Sequence, residues 1–231
     1  MNNFETDKTP IKRQGSLTDK AYAWLKNEIM ENRMSPGFQA FESDLAHSLD
    51  MSRTPVREAL IRLQNEGLIE VLPRRGMRVL PLRLSDMREI YEVLNAVECE
   101  AVSIIAKRKP TRNELAPLAK AVSDMEKALV ADDLNAWAAG NTRFHQSLLR
   151  LCKNKRLMNI GFTYIDQEQR STRVTLLLRD KPVRSTKDHR DHINVMLEGD
   201  PVKARNVYRQ HRERAIEELS DLLQRFKIHN L

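Results

Sequence analysis

The chain has 231 residues, 41% of them hydrophobic, and a net charge of +7 from 39 Lys and Arg against 32 Asp and Glu. That is enough apolar material for one large core or two modest ones. No apolar run reaches membrane-spanning length, the N-terminal stretch lacks a signal-peptide core, and Cys99 and Cys152 have no metal-type spacing, so membrane and secreted classes are set aside in favour of a reducing cytoplasm. The positive balance alone says little about nucleic acid. Residues 1–81 hold 12 Lys and Arg against 11 Asp and Glu, yet residues 51–81 hold six arginines against three glutamates. Local placement therefore carries the argument.

Residues 1–15 are polar and read as a flexible tail. From Leu17 to Met30, Ala21, Leu25 and Ile29 recur on one helical face, and Ser35-Pro36-Gly37 stops the chain from continuing it. Leu45, Ala46 and Leu49 predict a short helix over 42–49, with Asp50 and Met51 as a turn. A second helix follows, capped by Ser52 or Thr54, with Pro55 in its first turn, where a missing N–H costs nothing. Val56, Ala59, Leu60 and Leu63 face its core. Arg53 and Arg57, four residues apart and off that stripe, stand at the helix start beside Thr54. Guanidinium groups there can reach base edges and phosphates, and arginine suits the two acceptors of guanine. The plainer reading is a solvated helix whose arginines keep the protein soluble. Gly67 ends the helix in the left-handed position. Leu68 to Val71 and Met77 to Leu80 then read as two strands around Pro73-Arg74-Arg75-Gly76, a turn whose two arginines suit contact with phosphate better than a purely structural hairpin.

Taken together, SRTPVREAL at 52–60, the RL and EGL pieces within 62–68, and the basic turn at 73–76 closely resemble the winged helix-turn-helix of the GntR family of bacterial transcription regulators. The resemblance implies a DNA-binding domain over 16–81. It also implies that Arg53, Thr54 and Arg57 touch an operator, while Arg74, Arg75 and Gly76 lie along its backbone or minor groove.

Residues 82–86 read as a linker, with Ser85 or Asp86 capping the next helix, and 87–231 as an antiparallel helical bundle. The fold class is thus mainly α, with one small β-hairpin wing. Six or seven helices are expected, broken near Pro110, Asp132-Asp133, Lys153-Asn154, Pro182 and Gly199-Asp200-Pro201. Ile90, Val93, Leu94, Val97, Ala101 and Ile104 mark one buried face, and Leu115, Leu118, Val122, Met125 and Leu129 the next. Thr111 and Glu114 have capping-box spacing.

Three further faces each carry one histidine. The first runs Trp137, Asn141, Phe144, His145, Leu148 and Cys152; the second His189, Ile193, Met196 and Leu197; the third Ala204, Val207, Tyr208, His211, Ala215, Leu219 and Leu222. Each imidazole is either a hydrogen-bonded core residue or part of a shared site. Asn141, His145, His189 and His211, if brought together, would suit zinc, nickel or another borderline divalent ion. Separations of 44 and 22 residues are no metal motif, and the sequence does not show that these helices meet. His47 and His229 read as exposed, and His192 as lying off the stripe set by His189.

Residues 86–225 in turn resemble the FCD effector domain of the FadR subfamily, through IYEVLNAVE at 90–98, NTRFHQSL at 141–148 and DHRDHINVMLEGD at 188–200 leading to Gln210-His211. This resemblance implies a divalent metal on Asn141, His145, His189 and His211 at the base of a small-molecule pocket. Two departures stand out. Asn141 replaces the aspartate of many relatives. Leu94 stands where they often carry an arginine that meets a carboxylate ligand, so an organic-acid effector needs another cation, with Arg173 the candidate.

The two resemblances imply a cytoplasmic homodimeric regulator, more often a repressor than an activator. It would read an inverted-repeat double-stranded operator, with a small-molecule effector altering the spacing of its two reading heads. A metal sensor whose effector is the ion itself is the alternative. A metal-dependent hydrolase is a more distant one, because no carboxylate sits at a general-base offset such as HExxH.

Overall fold

The computed structural model describes residues 15–226 of the chain. The tail expected over 1–15, all but Gly15, and His229 lie outside the described residues. The chain divides into two compact units, at Leu80 and Pro81.

In the first unit, α1 (Leu17–Met30) starts with a reciprocal cap. The Ser16 hydroxyl accepts from the Asp19 N–H at 3.1 Å, and the Asp19 carboxylate accepts from the Ser16 N–H at 3.2 Å. The helix α2 (Glu42–Ser48) leads through Asp50, at φ +50°, into α3 (Arg53–Asn65). Ser52 occupies the N-cap position of α3 but makes no side-chain capping bond, so neither Ser52 nor Thr54 caps it in the expected sense. Val56, Ala59, Leu60 and Leu63 are fully buried against Ala21 and Leu25. Truncating one such leucine to alanine costs about 2–5 kcal/mol. Beyond α3, Gly67 takes φ +70° as expected.

The wing is a three-stranded antiparallel sheet in the order β1-β3-β2, formed by β1 (Gln39–Ala40), β2 (Ile69–Leu72) and β3 (Gly76–Val79). The expected two-stranded hairpin is corrected in two respects. Both of its strands shift by one residue. A third strand is added, since the two-residue segment after Gly37 is too short to show the alternation by which a strand is read. Ala40 pairs with Met77, and Val71 pairs with Met77 from the other side.

The second unit holds α4 (Leu84–Lys107), α5 (Ala116–Val130), α6 (Leu134–Leu151), α7 (Lys155–Thr175) with a 3-10 turn at Leu176–Leu178, α8 (Val183–Glu198) and α9 (Pro201–Arg225). Helix α4 begins inside the segment expected as linker. Its N-cap position is Arg83, whose N–H donates to Asp86 at 2.9 Å from within the first turn. The breaks fall where expected, and the backbone shows why. Lys109, Asp132, Lys153 and Gly199 all adopt positive φ, and Asp133, Asn154 and Asp200 each accept from N–H groups of the helix that follows. The Thr111–Glu114 box forms as well, one turn ahead of α5. Connections this short fold successive helices back on one another. Helix α4 packs against α6, α7, α8 and α9, with Leu94, Ala101, Ile105, Phe144, Leu148, Met196 and Tyr208 in the shared core. Leu94, the departure noted above, is fully buried.

Candidate functional site

In the first unit, Arg53, Thr54 and Arg57 are exposed on the opening turns of α3, and Arg74 and Arg75 are exposed at the wing tip. The six arginines of residues 51–81 separate into two groups. Arg62 pairs with Asp19 at 2.8 Å and lies 3.9 Å over the Tyr22 ring, while Arg78 pairs with Glu70 at 2.6 Å. Among the described residues, Arg53, Arg57, Arg74 and Arg75 have no ion-pair partner. The nearby carboxylates are engaged elsewhere. Glu58 accepts from the Thr18 hydroxyl at 2.6 Å, and Glu66 accepts from the Tyr22 hydroxyl at 2.6 Å and pairs with Lys26 at 2.8 Å. Four guanidinium groups are thus left in water with their donors open, the state in which arginine meets phosphate and base edges.

Gly76, expected beside the arginines as a DNA-facing residue, is instead buried. Its φ is +81°, and a Cβ there would stand 2.0 Å from the carbonyl oxygen of Ala40. Its role is to let β3 leave the turn in close contact with β1, which only glycine permits. Arg74, at φ +61°, takes the left-handed position inside the same turn.

In the second unit, the fold brings His145, His189 and His211 together. Ring centres are 5.2 Å apart for His145–His189 and 4.9 Å for His189–His211. Asn141, His145 and His211 also line a cavity of about 470 Å³. Each of the three rings binds an oxygen through Nδ1: His145 to Glu98 at 3.0 Å, His189 to the Ser185 carbonyl at 2.7 Å, and His211 to Asp188 at 3.1 Å. A carbonyl or carboxylate oxygen only accepts, so Nδ1 carries the proton. In the neutral ring this leaves Nε2 as the lone-pair nitrogen. The Nε2 of His189 is buried with no hydrogen-bond partner among the described residues.

The carboxylates that hold these rings are kept ionised. Burial alone would raise the Glu98 carboxyl, but the neighbouring His145 and the Arg212 guanidinium, with hydrogen bonds from His145 and Tyr208, hold it down at about 2. For Asp188 burial is likewise outweighed, by the hydrogen bonds of His211 and Arg214, and its pKa also falls to about 2. Burial, reinforced by neighbouring imidazole charge, pushes His189 well below the ordinary histidine value and lowers His211 too.

These donors fit a borderline divalent ion in their chemistry. Three imidazoles have their Nδ1 atoms tied to oxygen acceptors, the outer arrangement that orients histidine ligands, and at least one bare nitrogen is stranded in the core. Among the described residues, however, no group of three or more His, Cys, Asp or Glu side chains is placed so that it could hold a metal ion.

The sequence reading missed several residues here. Glu98 is fully buried, accepting from Tyr208 at 3.0 Å and lying 3.5 Å from the Nε of Arg212, whose Nη1 donates to Glu168 at 2.9 Å. Its signal was available, since Glu98 falls one turn after Leu94 on the buried face of α4. His192 is corrected from an ordinary off-stripe residue to a buried one, with neither ring nitrogen partnered among the described residues. Arg173, the expected effector cation, is not among the described residues that line the cavity; Arg179 is, with a buried Nη2 that lacks a hydrogen-bond partner among the described residues. Arg179 follows the 3-10 turn at Leu176–Leu178, whose tighter geometry breaks the α-helical spacing that relates residues along α7.

Comparison with known proteins places this architecture. Residues 17–79 match the "Bacterial regulatory proteins, gntR family" profile, and residues 89–214 match the FCD domain. The chain belongs to the GntR family of FCD-type regulators, a family of DNA-binding transcription regulators and not of enzymes. It is 43% identical over 131 residues, 56% of this chain and 77% of the relative, to an HTH-type transcriptional regulator from the TAR-I ttuE-ttuC' intergenic region of Agrobacterium vitis. It is 27% identical over 146 residues, 63% of this chain and 64% of the relative, to the HTH-type transcriptional repressor RspR of Escherichia coli. The solved structure of E. coli McbR/YncC shares the fold, with a TM-score of 0.74 at 21% identity over 92% of this chain and all of the other. No described helix is long and apolar enough to cross a membrane.

Proposed function

We propose that the chain is a cytoplasmic, homodimeric, effector-controlled repressor that reads an inverted-repeat operator. Arg53, Thr54 and Arg57 act in the major groove, and Arg74 and Arg75 act on the phosphate backbone beside it. The observation that carries this reading is the division among the arginines: those at the start of α3 and at the wing tip have no ion-pair partner among the described residues, while Arg62 and Arg78 are tied to carboxylates. A dimer follows from the size of what one α3 can read, because a single recognition helix covers one half-site. The repressor assignment draws on the likeness to RspR, named a transcriptional repressor.

In the effector unit, Asn141, His145, His189 and His211 hold a divalent ion, zinc or nickel by ligand type. When bound, the ion supplies a Lewis-acid anchor for an anionic or oxygen-rich effector. The cavity of about 470 Å³ is large enough for a small organic ligand, which favours that over the ion alone as the signal. Arg179 offers the effector a guanidinium group with an open donor at the cavity wall, the role first expected of Arg173.

The test is operator binding by Arg57→Ala. Loss of a bidentate base contact should weaken binding by about 1–3 kcal/mol and relax preference at one base position. Because Arg57 is exposed and unpaired, the unfolding temperature should hold. Unchanged affinity in a folded variant removes the assignment.

A further inference from the structure

The exposed side of α3 carries two stripes. Thr54, Glu58 and Arg62 form one, and two of its members are turned to α1. There Glu58 accepts from the Thr18 hydroxyl at 2.6 Å and Arg62 pairs with Asp19 at 2.8 Å. Arg53, Arg57, Ile61 and Gln64 form the other, at helical steps that put them on one side. This second stripe ends at the wing, where the Gln64 side-chain oxygen accepts from the Val71 N–H of β2 at 2.7 Å. Between Arg57 and that junction stands Ile61, 46% exposed and outside the core that Val56, Ala59, Leu60 and Leu63 enter. Among the described residues it is the one large apolar side chain left exposed on α3.

Helix formation does not explain an isoleucine here. Its branched side chain loses rotamer freedom against the preceding turn, and lysine, arginine or glutamine would form the helix better and stay hydrated. Its apolar end does match one feature of a major groove, the 5-methyl group of thymine, which is the apolar mark on that base edge. The reach is suitable. At about 1.5 Å per residue, Ile61 lies about 6 Å along the axis from Arg57 and about 12 Å from Arg53. With base pairs about 3.4 Å apart, those distances are about two and three to four base pairs. Recognition helices read base edges with side chains spread over two turns, as this stripe is.

We propose that Ile61 is a specificity residue of the reading head, packing its side chain on the 5-methyl group of a thymine about two base pairs from the one that Arg57 reads. This rests on the reading of α3 given above and adds to it a preference for T·A at one position. Cytosine carries no methyl at that place and presents an amine instead, which an isoleucine cannot pair. Burying one methyl-sized group is worth a factor of about four in affinity.

The experiment uses the full-length protein and a duplex that it selects from a randomised pool. Each thymine of the selected half-site is replaced singly by deoxyuridine, which removes the 5-methyl group and leaves base pairing intact. For wild type, one such replacement, about two base pairs from the position whose preference Arg57→Ala relaxes, should weaken binding about fourfold. Ile61→Ala should weaken binding to the thymine duplex by at least a similar factor and then show no response to that deoxyuridine. Its melting temperature should hold, because Ile61 lies outside the core and alanine is the stronger helix former. The replacement series on wild type needs no variant of Ile61. A selected half-site with no thymine at that position overturns the proposal. So does a wild type indifferent to every replacement, or an Ile61→Ala variant that keeps the wild-type response. In each of these cases a loss of affinity in Arg57→Ala leaves the wider reading of α3 standing. Should Arg57→Ala bind as wild type does, or no duplex be selected, that reading falls and this one with it.

Discussion

Arg57 on α3 stands in water with no carboxylate among the described residues to hold it, whereas Arg212 on α9 is sealed between Glu98 and Glu168 beneath the ring of Tyr91. The same side chain serves opposite ends in the two units. In the first, hydration is kept and pairing withheld, so the charge remains available to a partner outside the protein. In the second, the charge is spent internally. Burial would lower the Arg212 pKa, but Glu168 and Glu98 raise it further than burial lowers it, and the guanidinium stays charged in the core. A free arginine at the surface therefore marks a binding face. A paired arginine in the core marks a framework that holds other groups in place, here Glu98 and through it His145.

That contrast is broken most severely at Glu98. Glu98→Ala would strand the buried Arg212 charge on one side, and removing one partner of a buried pair costs about 3–5 kcal/mol. For a chain of this length the unfolding temperature should drop by about 6 °C or more. His145 would also lose the acceptor that fixes its tautomer, so metal affinity should fall by about 10–100-fold. Thermal unfolding of the metal-free protein checks the first effect and a zinc titration the second. A variant as stable as wild type would show that the Arg212 network bears no weight.

Acid should separate the two regions in the same order. His189, His192 and His211 have lowered pKa values in the folded state, each mainly through burial. The unfolded chain therefore takes up their protons first, and the stability they leave intact above about pH 6.5 is lost as the pH falls below it. Glu98 and Asp188, each held at about 2, add stability that is present above the ordinary carboxylate range and lost as the pH falls toward 2. Hydrogen exchange on the metal-free protein between pH 7 and pH 4 should show α6, α8 and α9 losing protection before α1 and α3. Simultaneous loss in both units would count against this order.

How much of this could be read from sequence follows from what each feature depends on. The reading head was legible because its signals are local: a left-handed Gly67, Pro55 in a first helical turn, and apolar residues at three- and four-residue steps. The faces of five of the six effector helices were legible for the same reason, as were three of the histidines. The strand β1 was not, because two residues carry no alternation. His192 escaped because it lies beside, not on, the strongest apolar stripe of α8, and its burial is decided by α9 across from it. Glu98 and Arg212 are 114 positions apart in the chain, and nothing local couples a glutamate on one helix to an arginine on another. Gly76 was read by its neighbours' chemistry, when the deciding fact was the Ala40 carbonyl on a strand not foreseen.

The smallest expected effect is also the one that most sharpens the comparison. Arg62 lies on the same helix as Arg57 but is tied to Asp19 and stacked on Tyr22. If pairing status separates framework arginines from reading arginines, Arg62→Ala should barely alter operator affinity. It should lower stability only slightly, since both ion-pair partners are substantially exposed and such pairs are screened. Arg57→Ala should do the reverse, lowering operator affinity with no change in unfolding temperature. Salt gives a second handle. The dependence of log affinity on log salt should flatten by about one contact's worth when an arginine that meets a phosphate is removed, and should not change for Arg62. Binding isotherms for both variants across a salt series, beside their melting curves, test this directly. Equal losses of affinity in the two would mean that proximity to the DNA, and not freedom from a protein partner, decides which arginines read it.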